Sequence, residues 1–255
     1  MNRRIYIAFA LAVVVAMPAL SQTARRATEM DSFASDFQTV PVMANTQGVG
    51  GAIFQTYVSL LNPTSSTFAV EATLFDAAGV KHNATITLAG GELKTYNNFL
   101  NDVFHYAGGG AVTFRSADTA GGTRNNRFIV NTEVRTEGAS YSTPVPTVEF
   151  AGSNSKSFSP GITVDGTSRT NVGCFNQAGV TNVIKATVLD GSGTQTLGTA
   201  TLNLPPNAWG QTAINAIVSN GYVRFEPAEA AVCYAVVVNN STNDGRFITA
   251  AEYTP

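Results

Sequence analysis

The stretch YVSLLNPTSSTFAVEATLFDAAG, starting at Tyr57, returns 114 positions later as NVGCFNQAGVTNVIKATVLDGSG. Laid over one another without a gap, residues 57–80 and 171–194 share Asn62/Asn176, Ala72/Ala186, Thr73/Thr187, Asp76/Asp190 and Gly79/Gly193. The match resumes beyond a two-residue insertion, with ATITLAGG against ATLNLPPN, and again at AVTFRS against YVRFEP. Similar segments in the same order, separated only by short insertions, indicate one unit used twice. The chain divides on this basis into residues 1–21, a signal peptide; 22–36, a flexible N-terminal segment; 37–148, a first module; 149–154, a linker; and 155–255, a second module. A module of roughly 100 residues can bury a core of its own.

Within each module the apolar period is two. Val70, Ala72 and Leu74 fall on one face and Glu71 and Thr73 on the other, and Ile184, Ala186 and Val188 repeat the pattern around Lys185 and Thr187. Such alternation marks a strand with one buried face. DAAG and DGSG follow directly, with Asp to open a turn and Gly to take a positive φ. The return strands ATITL and ATLNL complete a hairpin. Further strands are expected at TYVSLLN, GAVTFRS, RFIVNTEVRT, YVRFEP and AAVCYAVVVNN, and the one helical hint is NNFLNDVFHYA with its counterpart TAINAIVSN. The expected fold is all-β: two tandem immunoglobulin-like β-sandwich modules after a cleaved signal peptide. A barrel is the alternative, because a strand pattern does not fix strand order.

The N-terminus supplies the parts of an export signal. Arg3 and Arg4 precede the apolar IYIAFALAVVVAMPAL, and Ala19 and Ser21 place small residues before a cut after Ser21. A retained anchor would need about 20 apolar residues, and this run is shorter. The expected location is therefore outside the cytoplasm, periplasmic or extracellular, with no membrane span in the mature chain. Losing two Arg takes the formal charge from −2 to −4, which argues against a nucleic-acid partner.

Both cysteines, Cys174 and Cys233, lie in the second module, in apolar strands of an exported chain. Their counterparts in the first module are Leu60 and about Val130. The pair is expected as an inter-sheet disulfide in place of a hydrophobic contact, worth about 4 kcal/mol in the chain-entropy model. Two reduced, buried thiols are the alternative.

Catalytic chemistry has little footing. His82 and His105 are the only histidines and lack ligand spacing; three well-placed ligands are the usual requirement for zinc. DAAGVKH and DGSGTQT depart from calcium-loop spacing, so Asp76 and Asp190 read as turn formers. No G-x-S-x-G is present, and GGGAV lacks the Lys of a phosphate loop. The expectation is no catalytic residue, no metal and no cofactor. Trp209, in LPPNAWGQT, is placed in a loop and, with Tyr96, is a candidate for glycan contact; a loop Trp also commonly closes the end of a core. Asn62 and Asn176 end equivalent strands and read as structural.

The strand ending in NP, then V…ATLFDAAG, a TL return strand and GAVTF, resembles secreted bacterial proteins built of tandem immunoglobulin-like sandwich repeats. Gln177 replaces the Pro in the second copy. The resemblance implies a fold and no catalytic residues. The expected function is structural, adhesive or binding, at the envelope or outside the cell and without an enzymatic step, toward an extracellular glycan or protein partner. A carbohydrate-binding protein using loop aromatics is one alternative. A subunit pairing through strand edges is the other.

Overall fold

In the computed structural model, the described residues are 34–48, 51–117, 126–137, 142–148 and 152–252. The signal-peptide reading and most of the 22–36 segment fall outside them. Residues 33–255 form one compact unit, and the chain within it is all-β.

The first repeat holds β1 (Phe37–Gln47), β2 (Ile53–Leu61), β3 (Phe68–Phe75), β4 (Lys81–Leu88), β5 (Leu93–Tyr96), α1 (Phe99–Phe104), β6 (Gly108–Ser116), β7 (Ile129–Thr136) and β8 (Ser142–Pro144). The second holds β9 (Ser157–Val164), β10 (Ser168–Asn176), β11 (Asn182–Leu189), β12 (Thr196–Leu204), β13 (Trp209–Ala213), β14 (Val218–Pro227), β15 (Ala231–Asn239), β16 (Gly245–Thr249) and β17 (Ala251–Glu252). The helical hint is a helix only in the first copy.

Strand order repeats with the sequence. β4-β3-β6-β1 in the first repeat corresponds to β12-β11-β14-β9 in the second, and β5-β2-β7-β8 to β13-β10-β15-β16. Even the closing contact recurs: Val148 bridges Thr39 of β1, where β17 pairs Phe158 of β9. One difference separates the copies. The far end of β1 turns to pair with β2 at Asn45–Gln47, which joins the two halves of the first sandwich into a single eight-stranded sheet. All neighbours are antiparallel. β1 lies beside β6 along most of its length, β2 lies beside β7, and the last strand of the repeat, β8, flanks β7.

Each sandwich closes over its own core. Val58, Leu60, Val70, Leu74, Val112 and Phe114 meet in the first, and Val172, Ile184, Val188, Leu202, Val223 and Phe225 in the second. The hairpin turns form as the residue types dictate. The Asp76 carboxylate accepts the N–H groups of Ala78 and Val80, and Gly79 takes φ 81°. Asp190 does the same for Thr194 and Gln195.

The repeated asparagines tie together the two halves of the sandwich in each repeat. Asn62 is fully buried, and its amide donates to Ser66 O at 2.8 Å and Ala89 O at 2.9 Å while its oxygen accepts the Thr64 N–H. Asn176 donates to Val180 O and Pro205 O and accepts from the Ala178 N–H. Each one therefore satisfies the strand-to-loop exit of one half and the end of the hairpin in the other.

Cys174 and Cys233 form a disulfide. It corrects the inter-sheet expectation: the two residues are direct cross-strand partners in β10 and β15, with Cα atoms 4.1 Å apart in one sheet. Leu60 and Val130 are the equivalent partners in β2 and β7, so the bridge stands in for a cross-strand apolar pair within a sheet.

Truncating Asn62 or Asn176 to Ala removes the side-chain donor from one buried carbonyl, Leu88 or Leu204, and from two partly buried ones, and a buried group left unpaired costs about 1–3 kcal/mol. Each single variant is expected to lose about 3 kcal/mol in urea unfolding. A loss below about 1 kcal/mol would contradict the tying role.

Candidate functional site

The site grows from one strand pair that is buried on both sides. Along β10, Arg169, Asn171, Gly173 and Phe175 face away from the second core, because alternate residues share a face. Their partners in β15 are Val238, Val236, Tyr234 and Val232. On β13, Gln211 lies opposite Gly173 and Trp209 opposite Phe175; on β16, Phe247 lies opposite Val236. The other face of the same strands, with Val172, Cys174, Cys233 and Ala235, belongs to the second core.

The outer face docks on the end of the first sandwich. Phe175 meets Phe75 with ring centroids 4.8 Å apart, and the Trp209 N–H donates to Asp76 O. Tyr234 is fully buried and belongs to the first core although the second repeat supplies it. Its ring stacks on Phe247 at 4.9 Å and lies across Gly173, where an added Cβ would stand 2.3 Å from the phenolic oxygen. Glycine is thus the residue that lets the tyrosine cross its neighbour strand. The phenol donates to Gln211 Oε1 and accepts the Trp209 indole N–H, both at 3.0 Å. Burial pushes the Tyr234 phenol far up, against the opposing indole hydrogen bond, so it stays a neutral donor. The Trp209 ring covers Gly109, where a Cβ would come within 2.8 Å of it.

Beside this contact the two repeats leave a cleft of about 280 Å³. Asn171, Gln211, Val236 and Phe247 line it from the second repeat, and Val42, Phe54 and Val134 from the first. Trp209 borders it. Among the described residues, Arg169 is the one charged group that reaches it, and no Asp or Glu lines it. A mostly apolar hollow at a junction of two sandwiches, with few polar groups, is the usual form of a small-molecule site. A second hollow, about 490 Å³, lies by Val148, Gly152 and Ala231.

The residues singled out from sequence are dispersed. Trp209 opens β13 instead of lying in a loop and turns its ring inward. Tyr96 packs edge-on against Phe99 at 5.2 Å. The register pairs Tyr96 with Val58, and Val58 is equivalent to Val172, the partner of Thr212; Trp209 corresponds to Leu93. His82 Nε2 sits 3.2 Å from the Asp76 carboxylate and its ring packs near Tyr106. Burial acts to raise the Asp76 carboxyl, but the hydrogen bonds from His82, Val80 and Ala78 outweigh it and hold the group below its ordinary value. His105 closes α1 in a left-handed conformation, its N–H returning to Asn101 O.

Sequence reading passed over Arg169, Gly173, Gln211 and Tyr234. One signal could have found the face. β15 reads AVCYAVVV, continuously apolar as a strand buried on both sides should be, whereas its equivalent β7 reads IVNTEVRT and alternates. No protein-family model matches this chain, and no curated protein matches it.

Adding one methyl at Gly109 forces the Trp209 ring off the first repeat. Gly109→Ala is expected to shift tryptophan emission to the red and to lower the melting temperature, the chain having a single Trp. Unchanged emission would contradict the packing of Trp209 on Gly109.

Proposed function

We propose that the protein is an exported, non-enzymatic binding protein whose two sandwiches form a ligand site between them. The observation that carries the reading is the cleft of about 280 Å³ lined from both repeats. Its wall of Val, Phe and Met side chains can desolvate an apolar body, and Asn171 and Gln211 offer amides to orient it. The described lining brings together a guanidinium, amides and hydroxyls, a set suited to holding a ligand by hydrogen bonds. Export is supported by the disulfide and by the N-terminal apolar run; among the described residues no helix is long and apolar enough to cross a membrane.

The inward turn of Trp209 bears on the kind of ligand. An aromatic platform for sugars presents a free ring face, yet this indole packs on Gly109 and commits its N–H to Tyr234. Tyr96 lies on β5, across the first sandwich, against Phe99. The cleft therefore favours a small organic ligand over an extended glycan.

Thermal melting against a panel of small organic acids, alcohols and mono- and oligosaccharides tests the reading. A ligand at 100 times its Kd stabilises by about 2.7 kcal/mol. At least one class in the panel is expected to raise the melting temperature of the native chain and to lose that effect in Asn171→Trp, which fills the cleft. A panel without effect, or stabilisation that survives the filled cleft, would contradict it.

A further inference from the structure

We infer that the cleft takes a small organic carboxylate with an elongated apolar body, its carboxylate held by Arg169. The inference rests on the cleft being a ligand site and assigns the chemistry of what enters.

Arg169 carries the argument. It stands at one end of the β10 row, two residues before Asn171 and four before Gly173, so the row runs roughly 13 Å from the guanidinium to the Tyr234 ring. One terminal nitrogen donates to Asn240 Oδ1 at 3.1 Å and the other to Asn243 Oδ1 at 2.9 Å. Both partners are neutral amides. A guanidinium has five N–H donors, and these two bonds leave the rest of the fork available. No carboxylate among the described residues lies within ion-pairing distance of it, although the chain as a whole is acidic. Arg135 pairs with Glu133 and Arg224 with Glu226, while Arg246 donates to Gly161 O and Arg115 lies over the Phe37 ring; of these arginines only Arg169 lines the cleft.

The two amides also fix the fork. Asn243 holds φ 58°, a left-handed backbone that Asn tolerates better than most residues, in the turn joining β15 to β16. Asn239 builds that turn by accepting the N–H groups of Ser241 and Thr242. The guanidinium is thereby oriented before any anion arrives, which lowers the ordering cost of binding. Partial burial pulls the Arg169 pKa down, the mark of a charge that has lost water without gaining a counter-ion. A planar carboxylate matches the fork in two parallel hydrogen bonds.

The remaining lining sets the body of the ligand. Val238, Val236 and Phe247 lead away from Arg169 along the floor, with Val134 and Phe54 above. Charge would be unpartnered along that path, so a second ionised group is excluded on desolvation grounds. Asn171 and Gln211 can meet one neutral polar atom midway. In the first repeat Gln55 stands at the position of Arg169, Glu133 at Val236 and Arg135 at Val238. The site is thus a property of the second repeat docked on the first.

Titration calorimetry with octanoate and with 1-octanol, together with emission from Trp209, tests the assignment on the full mature chain. Octanoate is expected to bind saturably, at least tenfold tighter than octanol, and to change Trp209 emission. Arg169→Gln is expected to weaken octanoate at least tenfold while leaving octanol unchanged, with its melting temperature showing that it folds. Equal affinities for the two probes, or an octanoate affinity indifferent to Arg169→Gln, overturns the carboxylate assignment and leaves the cleft reading standing. Absence of saturable binding by either probe overturns both.

Discussion

The structure turns on Tyr234 lying across Gly173. A phenol contributed by the second repeat fills the first repeat's core, and only a residue without a Cβ beneath it permits the crossing. That one arrangement fixes three others. Gln211 and the Trp209 indole are positioned by the phenolic oxygen. Trp209 is then held over Gly109, and Phe175 over Phe75. The two sandwiches consequently form one body with a defined hollow beside the contact, rather than two beads on a linker. The end of the linker is fixed to the second repeat, where the Gly152 N–H donates to the Gln177 side chain and Ser153 bridges Ala231.

The docking is asymmetric, and the position under the Trp209 ring differs between the copies. Gly109 of the first repeat corresponds to Asn220 of the second, through the pairing of Phe75 with Ala111 and of Leu189 with Tyr222. A side chain at that place would occupy the space a tryptophan ring needs. On the other side, the face of the first repeat equivalent to the docked one carries Asn131, Glu133 and Arg135 where the second has Tyr234, Val236 and Val238. Arg135 there pairs with Glu133 and covers the Tyr57 ring at 3.8 Å from its centroid. Polar residues keep one face wet while apolar ones bury the other, on the same strand framework.

The sequence reading followed the repeat well because local rules govern it. Alternation at Val70, Ala72 and Leu74 and the Asp–Gly turns depend on neighbours within a hairpin, and both form as the residue types require. The pairing of Cys174 with Cys233 follows from there being two cysteines, both in apolar strands of a chain read as exported, and the repeat alignment supplies their equivalents, Leu60 and Val130. Placing that pair across two sheets failed because strand order is a property of the whole sandwich, and β7 and β15 lie beside β2 and β10 in one sheet. Trp209 was misplaced in a loop because the proline pair before it suggested one; the strand starts immediately after Ala208. The cleft was hidden for a deeper reason. Arg169, Gly173 and Tyr234 act through contacts outside their own segments, and each looks ordinary within its segment. Contrasting AVCYAVVV with IVNTEVRT shows where an extra buried face had to be.

The single indole N–H of the chain offers the most direct check of the docked arrangement. In a proton–nitrogen NMR spectrum of the oxidised, mature protein, Trp209 should give one indole signal that exchanges slowly with water. Its ring protons should show nuclear Overhauser contacts to Gly109 of the first repeat and Tyr234 of the second. An indole that exchanges freely, with contacts only to residues of its own repeat, would contradict the docking and the cleft with it.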